Sequence, residues 1–244
     1  MKNQLIIQDL FVSTKTGKQI VDGVNLKIKT GEIHILMGPN GSGKSTLTDA
    51  LMGHPEYKIT SGKLILNGQD ITNFPIDKKA KLGLFLGFQY PIEVAGVNFA
   101  QFLRMAVNEQ SSKRVSPVAF RNILKSQAKK LSLKDEIIER CLNEGFSGGE
   151  KKKAEILQLS LLKPKFAILD EPDSGLDADA LKYLFNFINN LDFPLGMLLI
   201  THNQRILHFV KADFVHIMIK GEIVKSGDFN LVEEIERSGY AEFA

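Results

Sequence analysis

Residues 38–45, Gly38-Pro39-Asn40-Gly41-Ser42-Gly43-Lys44-Ser45, fit the pattern G-x-x-x-x-G-K-[ST] of a loop that cradles phosphate. Three glycines let the main chain turn tightly and approach a ligand, because no Cβ intervenes. The backbone N–H groups freed in this way, together with the positive end of the following helix, face an anion. Lys44 is placed to reach terminal phosphates, the Ser45 hydroxyl to hold Mg²⁺, and Thr46 to continue the cradle. A second pair, Asp170-Glu171, closes the mostly apolar run Phe166-Ala167-Ile168-Leu169. Asp170 suits Mg²⁺, directly or through water, and Glu171 suits a general base acting on an attacking water. Adjacent residues of a strand point to opposite faces, which lets the two acids do different work. Ser147-Gly148-Gly149-Glu150 offers a hydroxyl and unobstructed N–H groups at a helix entrance, again a place for phosphate. His202, after the run Leu198–Thr201, can donate a hydrogen bond to a terminal phosphate.

These groups need elements to carry them. Glu32–Met37 is an apolar run of strand length leading into the glycine loop, and Thr46–Met52 reads as a helix stopped at Gly53. Ahead of them, Leu5–Val12 and Ile20–Ile28 read as two antiparallel strands, the second alternating at Val24, Leu26 and Ile28. Lys63–Leu66 reads as a further strand before the Asn67-Gly68 turn, and residues 83–90 form an apolar run closed by Pro91. From about Asn98 to Cys141 the period changes. Phe99, Phe102, Leu103 and Ala106, then Phe120, Ile123 and Leu124, recur at helical spacing, and Ser116-Pro117 makes a helix start. The expected plan is a catalytic α/β core at 1–92 and 164–244, interrupted by a helical subdomain at about 93–163.

One local conflict stands out. Lys151-Lys152-Lys153 fall in the first turns of the helix after Ser147, where cations oppose the macrodipole. An anion beside them, nucleotide phosphate or an acidic partner, removes the conflict; so, more weakly, does solvent screening.

Composition narrows the class. With 244 residues, 43% of them hydrophobic and 24% charged, the chain is sized for one large α/β domain with an insertion. A net charge of +3 from 31 basic and 28 acidic residues is too small a surplus to point to nucleic acid. No apolar run approaches the ~18 residues of a membrane span, and the opening Met1-Lys2-Asn3-Gln4 does not read as a secretory signal. A single cysteine, Cys141, excludes an internal disulfide and a cysteine-built metal site within one chain. The expectation is a cytoplasmic protein without direct membrane insertion.

Taken in order, the glycine loop, Gln89, Ser147-Gly148-Gly149-Glu150, Asp170-Glu171, Ser174-Gly175-Leu176-Asp177 and His202 resemble the motif series of the ABC ATPase family from end to end. The resemblance implies a P-loop NTPase core of ABC ATPase type with an N-terminal antiparallel β subdomain and an inserted helical subdomain. It implies ATP and Mg²⁺ as ligands. Gln89 joins Ser45 and Asp170 at the metal and acts with Lys44, Glu171 and His202 in hydrolysis. Ser147, Gly148 and Gly149 meet the γ-phosphate of a second copy, with Asp177 at the subunit boundary, so ATP-dependent head-to-tail homodimerisation is implied. Within the family, Gly87–Val97, Phe146–Lys153 and Asp173–Asp177 resemble the SufC branch, the ATPases of the Suf iron–sulfur cluster assembly system. That branch implies SufB/SufD-like scaffold proteins as partners. The alternative is the nucleotide-binding subunit of a membrane transporter, whose pattern Pro172 resembles. No Tyr stands near Ser13-Thr14, where the family often stacks adenine on an aromatic ring; Phe11 is the substitute at hand.

Overall fold

The computed structural model describes residues 3–111 and 113–243. In chain order the elements are β1 (Gln4–Thr14), β2 (Gln19–Lys29), β3 (Ile33–Met37), α1 (Lys44–Met52), β4 (Tyr57–Leu66), β5 (Gln69–Asp70), α2 (Ile76–Lys81) and β6 (Leu84–Gly87). There follow β7 (Val94–Asn98), α3 (Phe99–Gln110), α4 (Pro117–Lys130), α5 (Asp135–Glu139), β8 (Cys141–Leu142) and α6 (Gly148–Leu162). The chain ends with β9 (Phe166–Asp170), α7 (Ala178–Asn189), β10 (Gly196–Ile200), β11 (Phe214–Ile219), β12 (Glu222–Gly227) and α8 (Asn230–Ser238).

Two compact units emerge. The first comprises residues 1–86, 165–171 and 194–244; the second comprises 87–164 and 172–193. Residues 172–193, grouped with the core on sequence, cluster here with the helices because α7 packs on α6.

The first unit holds two sheets. One is antiparallel, in the order β2-β1-β4-β5. Leu5 faces Ile28 and Ile7 faces Leu26 across β1–β2, so the alternating apolar residues of both strands share one buried face. β4 begins at Tyr57, well before the apolar stretch, because β1 offers it partners as far as Thr14. It passes a kink where Gly62 (φ +86°) lies against Asp9; a Cβ there would sit 2.1 Å from the Asp9 carbonyl oxygen.

The other sheet has the order β12-β11-β3-β10-β9-β6. β3 runs parallel to β10 and β11, and β10 parallel to β9. β3, β9 and β10 are almost wholly buried, which explains their unbroken apolar runs. Leu5, Ile7, Leu26, Ile28, Leu47, Leu51, Ile168 and Leu198 belong to one continuous core, joining both sheets to α1.

Two histidines interrupt that apolar interior. His34 on β3 and His216 on β11 are buried, with Nδ1 of His34 3.0 Å from Nε2 of His216. The Ser226 hydroxyl lies 2.8 Å from His216 Nδ1, and a Glu32 carboxylate oxygen 3.4 Å from His34 Nε2. One hydrogen is available for each contact if Ser226 donates to His216, His216 donates to His34, and His34 donates to Glu32. Both rings are then neutral.

In the second unit, Phe99, Leu103, Phe120, Leu124, Ala128 and Ile138 are buried where α3, α4, α5 and α6 pack together. Ser116 caps α4, accepting from the Ala119 N–H at 3.3 Å with Pro117 in the first turn, as its sequence implies.

Candidate active site

Parallel strands with a common direction bring their carboxyl ends to one edge of the sheet, which is where α/β sheets place ligands. β3 delivers the glycine loop to that edge, β10 delivers His202, and β9 delivers Asp170 and Glu171. Asp170 is opposite Ile200 in the β9–β10 register, so the residues just beyond them are neighbours. Glu171 Oε1 and His202 Nδ1 are accordingly 2.9 Å apart.

The loop is built for close approach. Gly38, Gly41 and Gly43 have φ of +157°, +79° and +104°. A Cβ at Gly38 would meet the Met218 carbonyl oxygen at 2.1 Å and Ser42 Oγ at 2.9 Å, so only glycine fits. Gly43 caps α1 without a side-chain hydrogen bond, and the first turn of α1 contains no acid to compete with an anion. The Lys44 ammonium donates to the carbonyls of Gly38 and Pro39 at 2.9 Å each, and to Ser42 Oγ at 3.3 Å. Burial holds its pKa below the ordinary lysine range, partly offset by the carboxylates of Glu171 and Asp170. Ser45 is exposed beside it.

Glu171 departs from the simple strand reading. β9 ends at Asp170, and Glu171 takes φ +46°, a left-handed conformation in which its N–H donates to the Ile200 carbonyl at 2.9 Å. Strand alternation therefore does not set its direction; this turn and His202 do. If a neutral His202 donates Nδ1–H to Glu171, its Nε2 is an acceptor. Donation from Nε2 to phosphate then requires the imidazolium form, or release of Glu171.

The second unit carries Gln89, Ser147, Gly148, Gly149 and Asp177. Ser147 caps α6 through a capping box: its Oγ accepts from the Glu150 N–H at 3.3 Å, and Glu150 Oε2 accepts from the Ser147 N–H at 2.8 Å. Ser147 and Gly148 are exposed, and the Ser147 O–H remains able to donate outward. The S-x-x-E spacing is the pattern that could have predicted this cap. Asp177 has a structural duty as well, capping α7 by accepting from the Ala180 N–H at 2.8 Å.

The lysine conflict at α6 is resolved within the unit for two of the three residues. Lys151 pairs with Glu93 at 2.8 Å, and the buried Lys152 donates to the Phe88 carbonyl at 2.7 Å. Glu93, Asn143 and Glu155, which also bind in this region, carry no sequence signal that would have singled them out. The Phe11 ring covers Gly23, with Cζ 3.4 Å from where a Cβ would stand.

A family model described as ABC transporter matches residues 21–174. The chain belongs to the ABC transporter ATPase family. It is an ATPase, with ATP and Mg²⁺ as its nucleotide and metal. It is 49% identical to a probable ABC transporter ATP-binding protein of Streptococcus pyogenes, over 98% of this chain and 94% of the relative. Vegetative protein 296 of Bacillus subtilis is 48% identical (97% and 91% covered), and a probable ATP-dependent transporter ycf16 of Antithamnion sp. is 45% identical (98% of each). Among solved structures, a dimeric ATP-binding cassette in a post-hydrolysis state bound to ADP and Pi superposes with a TM-score of 0.79. Identity there is 19%, over 92% of this chain and 98% of that one.

The residues present fit the ligands of this family. An ammonium that satisfies itself on loop carbonyls can turn to phosphate oxygens, and the glycine cradle leaves room for them. Ser45 and Asp170 supply the hard oxygen donors that Mg²⁺ prefers. Among the described residues there is no cluster of three or more His, Cys, Asp or Glu able to hold a metal.

Proposed function

We propose that this chain is the ATPase subunit of an iron–sulfur cluster assembly machine of the Suf type, driving conformational change in a SufB–SufD-like scaffold. The observation that carries the reading is the set of SufC-like stretches at 87–97, 146–153 and 173–177, two of which are bonded to each other through Lys151–Glu93 and Lys152–Phe88. Beside Gln89, Phe88, Tyr90 and Ile92 are 47%, 75% and 75% exposed, an apolar patch suited to a protein partner. Among the described residues no helix is long and apolar enough to cross a membrane.

In this reading Lys44 and the backbone N–H groups of 40–46 bind the triphosphate, and Glu171 orients and deprotonates the attacking water. His202, hydrogen-bonded to Glu171, sets that carboxylate and donates to the γ-phosphate once freed. Ser45, Asp170 and Gln89 would hold Mg²⁺, which would supply positive charge to offset that of the phosphate oxygens. Ser147, Gly148 and Gly149 of one copy, with Asp177 at the boundary, close over the triphosphate of the other. The nucleotide then joins two copies head to tail, and hydrolysis lets them separate. The dimeric cassette bound to ADP and Pi supports that arrangement by analogy of fold.

The second reading, a transporter subunit, is favoured by Pro172 and by the printed names of the relatives. Affinity purification of the tagged chain with and without ATP, followed by identification of co-purifying proteins, separates the two. A SufB- or SufD-like scaffold is the expected partner; a transmembrane permease in its place would establish the second reading.

A further inference from the structure

β6 ends at Gly87, so the Phe88 peptide loses its ladder partners immediately before Gln89. Side chains of α6 take up both of its backbone groups. The Phe88 N–H donates to Glu155 Oε1 at 2.7 Å, and the Phe88 carbonyl accepts from Lys152 Nζ at 2.7 Å. Lys152 and Glu155 are 3% and 4% exposed and stand three residues apart, neighbours on one helix face. Each contact is charge-assisted, and charge-assisted hydrogen bonds of this length are among the strong ones. The far end of the segment is held too. Asn143 Nδ2 donates to the Ile92 carbonyl at 2.8 Å, while the Glu93 carboxylate accepts from Lys151 Nζ at 2.8 Å and from the Gly145 N–H at 3.4 Å. Residues 88–93 are thus fixed at both ends to residues 143–155, the stretch that carries Ser147-Gly148-Gly149.

We propose that Lys152 and Glu155 are positioning residues that gear Gln89 to the helix beginning at Ser147. When Ser147–Gly149 engages the triphosphate held by a second copy, α6 and Gln89 move as one body, so occupancy of the neighbour's site adjusts the residue that completes the chain's own. The inference rests on the functional reading given for Gln89 and Ser147. It goes beyond that reading by adding two buried residues that hold the Phe88 peptide.

The test is a double-mutant cycle on the full chain, following steady-state ATP hydrolysis against ATP and against Mg²⁺. Lys152→Met is expected to lower kcat by about tenfold or more, the usual cost of removing an outer-shell partner. KM for ATP should stay within about twofold, since Lys152 is buried against the Phe88 carbonyl and is argued to act through Gln89. The Mg²⁺ half-saturation should rise. Combined with Gln89→Ala, the substitution is expected to cause no further loss, because both act through one group. A general loss of structure would instead add to the Gln89→Ala defect. Should Lys152→Met not fold, Glu155→Gln, which keeps an acceptor for the Phe88 N–H but removes the charge, takes its place in the same cycle. If Gln89→Ala slows turnover while the clamp variants do not, or if the losses are additive, the gearing is refuted and the reading of Gln89 stands. If Gln89→Ala itself turns over at the wild-type rate, the functional reading of Gln89 fails and the gearing falls with it.

Discussion

Acidification should unlock the buried histidine pair, and the size of the effect follows from its surroundings. Burial, with a smaller contribution from His34, pushes the His216 pKa from the ordinary 6.5 to about 4. His34 moves in the same direction: burial lowers it, Lys29 adds slightly to that, and Glu32 and Asp213 partly oppose it. The hydrogen-bond chain explains the sign. His34 Nδ1 and His216 Nε2, 3.0 Å apart, can share one hydrogen but cannot each carry one. In the unfolded chain His216 takes a proton as pH falls through 6.5, whereas the folded chain resists until about 4. The stabilisation is therefore complete above 6.5 and is lost progressively toward 4. The gap is worth about 3 kcal/mol in full, of which about 2 kcal/mol is gone at pH 5. Urea denaturation of wild type and His216→Gln at pH 7.5, 6.5, 5.5 and 5.0 measures this. The difference in unfolding free energy between the two proteins should shrink by about 2 kcal/mol between pH 7.5 and 5. Parallel pH profiles for the two proteins would refute the neutral-pair assignment.

Four further outcomes follow from the site. Glu171→Gln should retain ATP binding, lose turnover by about 100-fold or more as expected for removal of a general base, and accumulate a dimer with ATP in light scattering. Gly38→Ala should weaken ATP binding at least about tenfold in a fluorescent-nucleotide titration, because its Cβ would overlap the Met218 carbonyl oxygen at 2.1 Å and displace the loop. Ser147→Ala should cost about 1 kcal/mol of stability in thermal melts through loss of the cap. Ser147→Asp should retain that stability, since aspartate caps equally well, yet still lose turnover because it places a negative charge where phosphate is to bind.

Legibility in the sequence followed the range of the interactions. The glycine loop was readable because every requirement falls within eight residues: glycines where φ is positive, lysine and serine where a helix begins. The strands β1, β2, β3, β9 and β10 were readable because burial on one face or both imprints a local pattern. β4 was seen only in its apolar half, since its first residues are held by pairing with β1 and not by burial. The run from Gly83 to Tyr90 gave no sign that the strand stops at Gly87, because what stops it is Glu155 and Lys152, more than sixty residues away.

The lysine run shows how much a local inference leaves open. Cations at the start of a helix demand compensation, and the sequence reading sought it in a phosphate or a foreign acidic surface. For Lys151 the anion is Glu93, and for Lys152 the partner is a peptide carbonyl at the end of a strand. The same holds for Asp170 and Glu171. Alternation assumes that the strand continues, but the positive φ of Glu171 ends it, and the adjacency of β9 and β10 then brings the carboxylate to His202. Residue types announce that a charge needs a partner; only the pairing order of the strands and the packing of α6 decide which one it finds. Substitution of Glu155 should therefore lower kcat in steady-state ATP hydrolysis from a position that no motif marks.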